Sequence, residues 1–244
     1  MEIMVRDLDK NFGKKQVLYG INLSIKPGDI VCLLGPSGSG KTTLIRCLIG
    51  AIKAERGRIN YDDVVVPNLK LMRTIGFMPQ NDALYDDLTG EDNLKFFAGL
   101  HKMGHRQSKN RIDEVLRIVK LTDDQNKYVV NYSGGMKKRL SLAAALIHNP
   151  SVLMLDEPTV GIDPILRKSI WAEFKKLKQD GVTMIVSTHV MDEVSECDKA
   201  ALLYNGRLIN YDSVNNLLEI TKSGKIEELF FMAAETFEGG ETNV

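Results

Sequence analysis

The sequence predicts an α/β fold: a core with an N-terminal antiparallel β subdomain and an inserted α-helical subdomain. Short apolar or alternating runs that are typical of strands occur before residue 80 and again after residue 150. Between Gln80 and about Pro150, apolar residues instead recur at helical spacing. We therefore expect a single domain, with residues 1–82 and 149–225 as the core, 83–148 as the helical subdomain, and 226–244 as a C-terminal helix and tail.

Each predicted element follows from a local pattern. Thr89 followed by Asp92 suits a helix N-cap, and Asn205-Gly206 between two apolar runs is a hairpin turn signal. Residues from about Gly239 are expected to be disordered. The predicted strands are 16–19, 21–25, 29–34, 58–61, 74–78, 152–155, 182–186, 200–204 and 207–210. The apolar helical stripes are Leu94-Phe97-Leu100, Ile112-Val115-Leu116-Val119 and Ile226-Leu229-Phe230-Ala233.

One run of nine residues fits the pattern G-x-x-x-x-G-K-[ST], between a short apolar run and a helical one. Its glycines would let backbone N–H groups converge on phosphate oxygens at a helix N-terminus. Lys41 would bridge the β- and γ-phosphates, and Thr42 would place its hydroxyl on Mg²⁺. The sequence therefore predicts a nucleotide-binding loop made of Gly35, Pro36, Ser37, Gly38, Ser39, Gly40, Lys41, Thr42 and Thr43. This loop predicts that the α/β core is a P-loop NTPase core.

Two carboxylates, Asp156 and Glu157, follow the apolar run 152–155. If that run is a buried strand, the acids lie at its C-terminal end, where ligands gather in open α/β sheets. An acid in this position completes the Mg²⁺ site of P-loop enzymes, and we assign that role to Asp156. Glu157 is then placed to orient or deprotonate the attacking water.

A second anion-binding surface is predicted at Ser133-Gly134-Gly135, where a hydroxyl and backbone N–H groups open a helix. With this motif the sequence resembles, over nearly its whole length, the ATPase subunit of ABC transporters. The motifs occur in the family's order, namely the phosphate loop, Gln80, Ser133-Gly134-Gly135, Asp156-Glu157, Gly161-Ile162-Asp163, and His189 within Ser187-Thr188-His189.

The resemblance implies a head-to-tail dimer that sandwiches two ATP molecules, each between the phosphate loop of one chain and Ser133-Gly134-Gly135 of the other. It further implies that Phe12 stacks on adenine, that Gln80 senses Mg²⁺ and water, and that Glu157 is the general base. His189 would contact the γ-phosphate, and Asp163 would communicate across the dimer. Since one chain holds both halves of a site, a homodimer is sufficient, and pairing with a related chain stays open.

Some positions differ from the commonest family pattern. Phe12 stands where tyrosine is more usual, and Tyr132 and Met136 stand where leucine and glutamine are frequent. The Tyr-Ser-Gly-Gly-Met form and the segment after Gln80 resemble the drug- and polymer-exporting branch, in which the ATPase is commonly a separate chain that partners a six-helix membrane protein. The alternatives are a soluble ABC ATPase without a channel, such as the iron–sulfur assembly type, and an importer.

Composition and charge exclude some classes of function. The formal net charge is +0, which argues against nucleic-acid binding as the main task. The three cysteines lack metal-ligand spacing and predict buried free thiols in a reducing compartment. No apolar run is long enough to span a bilayer, and the start of the chain lacks a signal-peptide pattern. We therefore expect a cytoplasmic protein, held on the cytoplasmic face of a membrane by its partner.

Three further features are given structural interpretations. His101 and His105 resemble a metal pair but are expected to be solvated, since no acidic or cysteine ligands lie nearby in sequence. His148 is expected to end the helix that begins after Ser133. The basic run Lys137-Lys138-Arg139 is expected to form a solvated helix face.

Overall fold

The structure is a computed structural model that describes residues 1–239 of the 244-residue chain, and the side chains of residues 1–235. Except for Gly239, which ends the last helix, the tail that we predicted to be disordered lies outside the described residues. The described residues form two compact units, one from residues 1–67 together with those from 185 onward and the other from 68–184. Among the described residues, no helix combines the length and the hydropathy needed to cross a membrane.

The strands and helices occur in the predicted order, with a few additions. The strands are β1 (Ile3–Phe12), β2 (Lys15–Ile25), β3 (Ile30–Leu34), β4 (Arg56–Tyr61), β5 (Val64–Val65), β6 (Ile75–Met78), β7 (Val152–Asp156), β8 (Thr183–Thr188), β9 (Lys199–Tyr204) and β10 (Arg207–Ser213). The helices are α1 (Lys41–Leu48), α2 (Leu69–Met72), α3 (Gly90–Leu100), α4 (His105–Ile118), α5 (Gly134–Leu146), α6 (Pro164–Gln179), α7 (Val214–Glu219) and α8 (Glu227–Gly239).

The first unit begins with an antiparallel sheet of strand order β2-β1-β4-β5. Alternation along β1 buries Ile3 and Val5, and a register irregularity between Val5 and Leu8 then brings Leu8 onto the buried face. Ile3 pairs with Ile25 of β2 on one side and with Tyr61 of β4 on the other. This confirms the N-terminal antiparallel sheet and places Phe12 at the last residue of β1.

The same unit contains a parallel pair, β3 with β9, and β9 continues through the Asn205-Gly206 turn into antiparallel β10. Every residue of β3 is buried, which is typical of a strand covered on both faces. Residues of β3 and β9 share a core with α7 and the start of α8, made of Cys32, Leu34, Val194, Ala200, Leu202, Val214, Leu217, Ile226 and Leu229. This buried strand ends directly before the phosphate loop and fixes where that loop begins.

The second unit contains the parallel pair β6 and β7, with Ile75 opposite Val152, and the helices α2 to α6. Thr89 caps α3 by accepting a hydrogen bond from the Asp92 N–H, as predicted. The second stripe is also confirmed, because α4 and the residue after it bury Ile112, Val115, Leu116 and Val119. The chain re-enters the first unit at Ile185, within β8.

Candidate functional site

The phosphate loop in the first unit connects β3 to α1. Gly38 and Gly40 have φ angles of 81° and 107°, which only glycine adopts without strain, and Gly40 is the N-cap of α1. At Gly35 a side chain is excluded for another reason, since an added Cβ would lie under 3.0 Å from the Leu203 carbonyl oxygen. The glycines therefore turn the backbone so that the N-terminus of α1 faces the loop, as an anion site requires.

Lys41, the first residue of α1, is buried and directed into this loop. Its Nζ donates hydrogen bonds to the carbonyl oxygens of Gly35, at 2.7 Å, and Pro36, at 3.0 Å. Thr42 and Thr43 are half-buried in the first turn, which holds no acidic residue. A lysine ammonium and the positive end of α1 thus share one small region, and this combination attracts phosphate.

Two more predicted residues of the first unit, Phe12 and His189, are exposed and therefore accessible to a ligand. Phe12 has 51% of its surface exposed, and the Lys10 Nζ lies 5.1 Å from its ring centroid. His189 follows β8 and is exposed. The backbone around it is held by Thr188, whose Oγ1 donates to the buried Glu193 Oε2 at 2.7 Å and accepts from the Val190 N–H at 2.9 Å.

In the second unit, Asp156 and Glu157 lie where the sequence predicts. Asp156 is the last residue of β7 and is buried, with 1% exposure. Glu157 follows with φ 54°, a left-handed conformation that is costly for a residue with a side chain and is found disproportionately at functional sites. The Gln80 Nε2 donates to Glu157 Oε2 at 3.2 Å. The structure therefore brings the predicted sensor and the predicted base into contact.

Ser133 is the N-cap of α5, and its Oγ accepts a hydrogen bond from the Met136 N–H at 3.2 Å. Ser133 and Gly134 are exposed, and a Cβ added to Gly134 would meet nothing within 4 Å. At Gly135 the nearest atom would be the Gly161 oxygen, at an ordinary contact distance of 3.7 Å. Packing within the chain therefore does not require glycine at either position, and these backbone N–H groups are open to approach from outside.

Asp163 has a local task that the sequence reasoning did not assign. It is the N-cap of α6, and its Oδ1 accepts a hydrogen bond from the Leu166 N–H at 3.0 Å. Pro164 follows at the first helical position, so the two residues form a well-matched helix start. An aspartate followed by proline is a sequence signal from which this helix start could have been predicted.

The prediction that Lys137-Lys138-Arg139 is a solvated face is wrong. Lys138 is buried with 8% exposure, and its Nζ donates to the Gln80 carbonyl oxygen at 2.6 Å. Lys137 pairs with Asp86 at 2.6 Å, and Arg139 donates to the carbonyl oxygens of Val119 and Lys120. Each basic side chain has its own acceptor, because the helix turns successive residues toward different neighbours. The aspartates that follow Gln80 were the available signal.

The expectation that His101 is solvated is also wrong. Its ring is half-buried and stacks on the ring of His148, with centroids 3.7 Å apart and planes at 2°. Burial, together with neighbouring His101, lowers the pKa of His148 to about 4. His105 is exposed, as expected, and no group of three potential metal ligands occurs among the side chains of residues 1–235. As predicted, Cys32 and Cys47 are buried free thiols, and burial raises the pKa of Cys47 to about 11.

The family model described as "ABC transporter" matches residues 18–160. The chain is 36% identical over 243 residues to the linearmycin resistance ATP-binding protein LnrL of Bacillus subtilis, covering 95% of this chain and 78% of that protein. It is also 36% identical over 236 residues to ABC transporter G family member 20 of Dictyostelium discoideum, covering 94% of this chain but only 32% of that longer protein.

Among solved structures, one similar chain is a dimeric post-hydrolysis state of an ATP-binding cassette bound to ADP and Pi. The two chains superpose with a TM-score of 0.81 at 27% identity, covering 86% of this chain and 98% of that one. The likeness therefore extends over nearly all of that chain.

Proposed function

Because the chain belongs to the ABC transporter family, as its ATP-binding subunit with the P-loop ATPase fold, we propose that it hydrolyses ATP to power export through a separate transmembrane partner. The observation that carries the proposal is the contact between the Gln80 amide and the Glu157 carboxylate, directly after a buried strand that ends in Asp156. A carboxylate oriented by an amide is suited to positioning and deprotonating a water molecule.

The roles of the remaining residues follow from their chemistry. Lys41 and the backbone N–H groups of the phosphate loop bind the β- and γ-phosphates, and Phe12 offers a ring face to adenine. Thr42, Asp156 and Gln80 provide hydroxyl, carboxylate and amide oxygens, the donor types that Mg²⁺ prefers. When bound, Mg²⁺ neutralises charge on the phosphates. His189, exposed after β8, contacts the γ-phosphate.

Hydrolysis in this proposal takes place in a head-to-tail dimer. The open surface around Gly134, which packing within the chain leaves without a neighbour, supports this arrangement. There the Ser133 hydroxyl and the N-terminus of α5 meet the γ-phosphate held by the other chain, and Asp163 communicates across the dimer. The dimeric relative with ADP and Pi is consistent with such an assembly. A homodimer is sufficient, and a related ATPase chain is the alternative partner.

The export direction is inferred from the relatives. The B. subtilis relative is a resistance protein by name, and resistance to a toxic compound is commonly achieved by removing it from the cell. We therefore infer a multi-helix membrane partner that selects the substrate, and place this subunit on the cytoplasmic face of the membrane. No nucleic-acid role is proposed, since the formal net charge of the chain is zero.

The first test uses the purified Glu157→Gln variant. Loss of a general base should reduce turnover by about 10²- to 10⁴-fold while nucleotide binding is retained. A stable dimer should then accumulate when ATP is added, and light scattering measures it. Lys41→Ala is the matched control, because it should lose ATP affinity and give no ATP-dependent dimer. Turnover of Glu157→Gln near the parent rate would contradict the assignment of the base.

The second test identifies the partner. Tagged Glu157→Gln protein is purified from its native cells in mild detergent with ATP, alongside tagged Lys41→Ala. A stoichiometric multi-helix membrane protein recovered with the first and depleted with the second is expected. A purely soluble partner would instead support the assembly-factor alternative.

A further inference from the structure

Helix α5 is attached to the Gln80 loop by a buried lysine. The Lys138 Nζ donates to the Gln80 carbonyl oxygen at 2.6 Å, and its side chain is largely shielded from water. Hydrogen bonds from a charged donor are about twice as strong as neutral ones, and burial reduces competition from solvent. The two residues lie 58 positions apart in sequence, so this is a tertiary link rather than a helix-surface contact.

Helix α5 begins directly after one residue of the proposed ATPase site, and the Gln80 loop contains another. Ser133 caps α5, and Lys138 lies in the second turn, about 7.5 Å further along the axis at 1.5 Å per residue. On the loop side, the Gln80 amide donates to Glu157. A continuous series of contacts therefore runs from Ser133 through Lys138 and Gln80 to Glu157.

We propose that Lys138 is a positioning residue that ties Gln80 to α5, so that a displacement of Ser133 is transmitted to the Gln80–Glu157 contact. The inference rests on the proposed function, since it assigns Lys138 a part in ATP hydrolysis. The orientation of Glu157 by Gln80 would then depend on whether Ser133 contacts the nucleotide bound to the other chain.

The other members of the basic run support this reading. Lys137 forms an ion pair with Asp86 in the same loop, but Asp86 is 59% exposed, and exposed pairs are screened and contribute little. Arg139 fixes the end of α4 through two backbone carbonyl oxygens. Among these three side chains, only Lys138 combines burial with a bond to Gln80 itself.

The test compares Lys138→Met, which keeps the length of the side chain but removes the donor, with Lys138→Arg and the control Lys137→Met. Lys138→Met should lower kcat about 10-fold with KM for ATP changed less than about 2-fold, because the Gln80 contact acts on hydrolysis rather than on nucleotide capture. Lys138→Arg should recover most of kcat, and Lys137→Met should stay within about 2-fold of the parent. If Lys138→Met fails to fold, Lys138→Gln, which keeps a neutral donor, replaces it and should give a smaller loss of kcat.

A second readout is independent of activity. In nucleotide-free protein, hydrogen exchange of the backbone amides of residues 79–88 should be faster in Lys138→Met than in Lys137→Met, because the loop loses its attachment to α5. Unchanged exchange, equal effects of the two methionine variants, or a rise in KM without a fall in kcat would overturn the inference. If instead the parent shows no ATPase activity, the proposed function fails, while the exchange comparison still decides whether Lys138 holds the loop.

Discussion

Replacing Gly90 by alanine should destabilise the protein through the hydroxyl of Tyr132. A Cβ added to Gly90 would lie under 3.0 Å from Tyr132 Oη, which at present donates to the Asp124 carbonyl oxygen at 2.8 Å. Overpacking of this kind costs about 2 kcal/mol and a displaced hydrogen bond about 1 kcal/mol, while alanine returns about 1 kcal/mol of helix propensity. We therefore expect Gly90→Ala to lower the free energy of unfolding by about 2 kcal/mol.

Two further variants isolate the cause. In Tyr132→Phe the clashing oxygen is gone, and the next atoms, the ring Cζ of residue 132 and the Gln125 oxygen, lie 3.2 and 3.3 Å from the added Cβ. The alanine should then be nearly neutral, so a double-mutant cycle by urea unfolding should give a coupling energy of about 2 kcal/mol. Gly99→Ala is the control in the same helix, where a Cβ meets nothing within 4 Å, and it should stabilise by about 0.5–1 kcal/mol. A coupling energy near zero would refute the reasoning.

Three other predictions concern adenine, the dimer and pH. In equilibrium titrations, Phe12→Ala should weaken ATP binding about 10-fold by loss of stacking, whereas Phe12→Tyr should bind about as tightly as the parent. Equal affinities of Phe12→Ala and the parent would show that adenine does not stack on this ring. Gly134→Ala should raise the urea midpoint slightly, because alanine is the better helix former, but prevent the ATP-dependent dimer of the Glu157→Gln background; normal dimerisation would show that no ligand approaches residue 134. Stability should fall as pH drops from 6.5 toward 4, because the unfolded chain protonates His148 while burial keeps the folded pKa at about 4. His148→Gln should flatten that pH dependence of urea unfolding, and a parent profile that is already flat would count against it.

Much of the fold was predictable because its signals are local. The apolar run 152–155, the Thr89 cap and the Asn205-Gly206 turn each specify an element within a few residues, and the structure has all three. The short helix α2 was missed, although Asn68 caps it through two backbone N–H groups, because only four residues carry the pattern.

The partners of charged and aromatic side chains could not be predicted in the same way. Lys138 looks like a surface lysine in the sequence because its acceptor, the Gln80 oxygen, is 58 residues away. His101 likewise meets His148 only through the packing of helices. In both cases the residue type was known and the neighbour was not, so errors concentrated on residues whose role depends on long-range contacts.

The glycines differ in whether packing within the chain requires them. Gly35 and Gly90 are required by atoms of this chain, since an added Cβ would lie under 3.0 Å from a neighbouring oxygen at each. At Gly134 the chain itself has room for a side chain, and the backbone conformation does not demand glycine. Glycine in a helix costs about 1 kcal/mol relative to alanine, so its presence there weakens the helix without any gain in packing. The proposed dimer would account for the glycine, because a phosphate held by a second subunit against the α5 N-terminus requires room at this position.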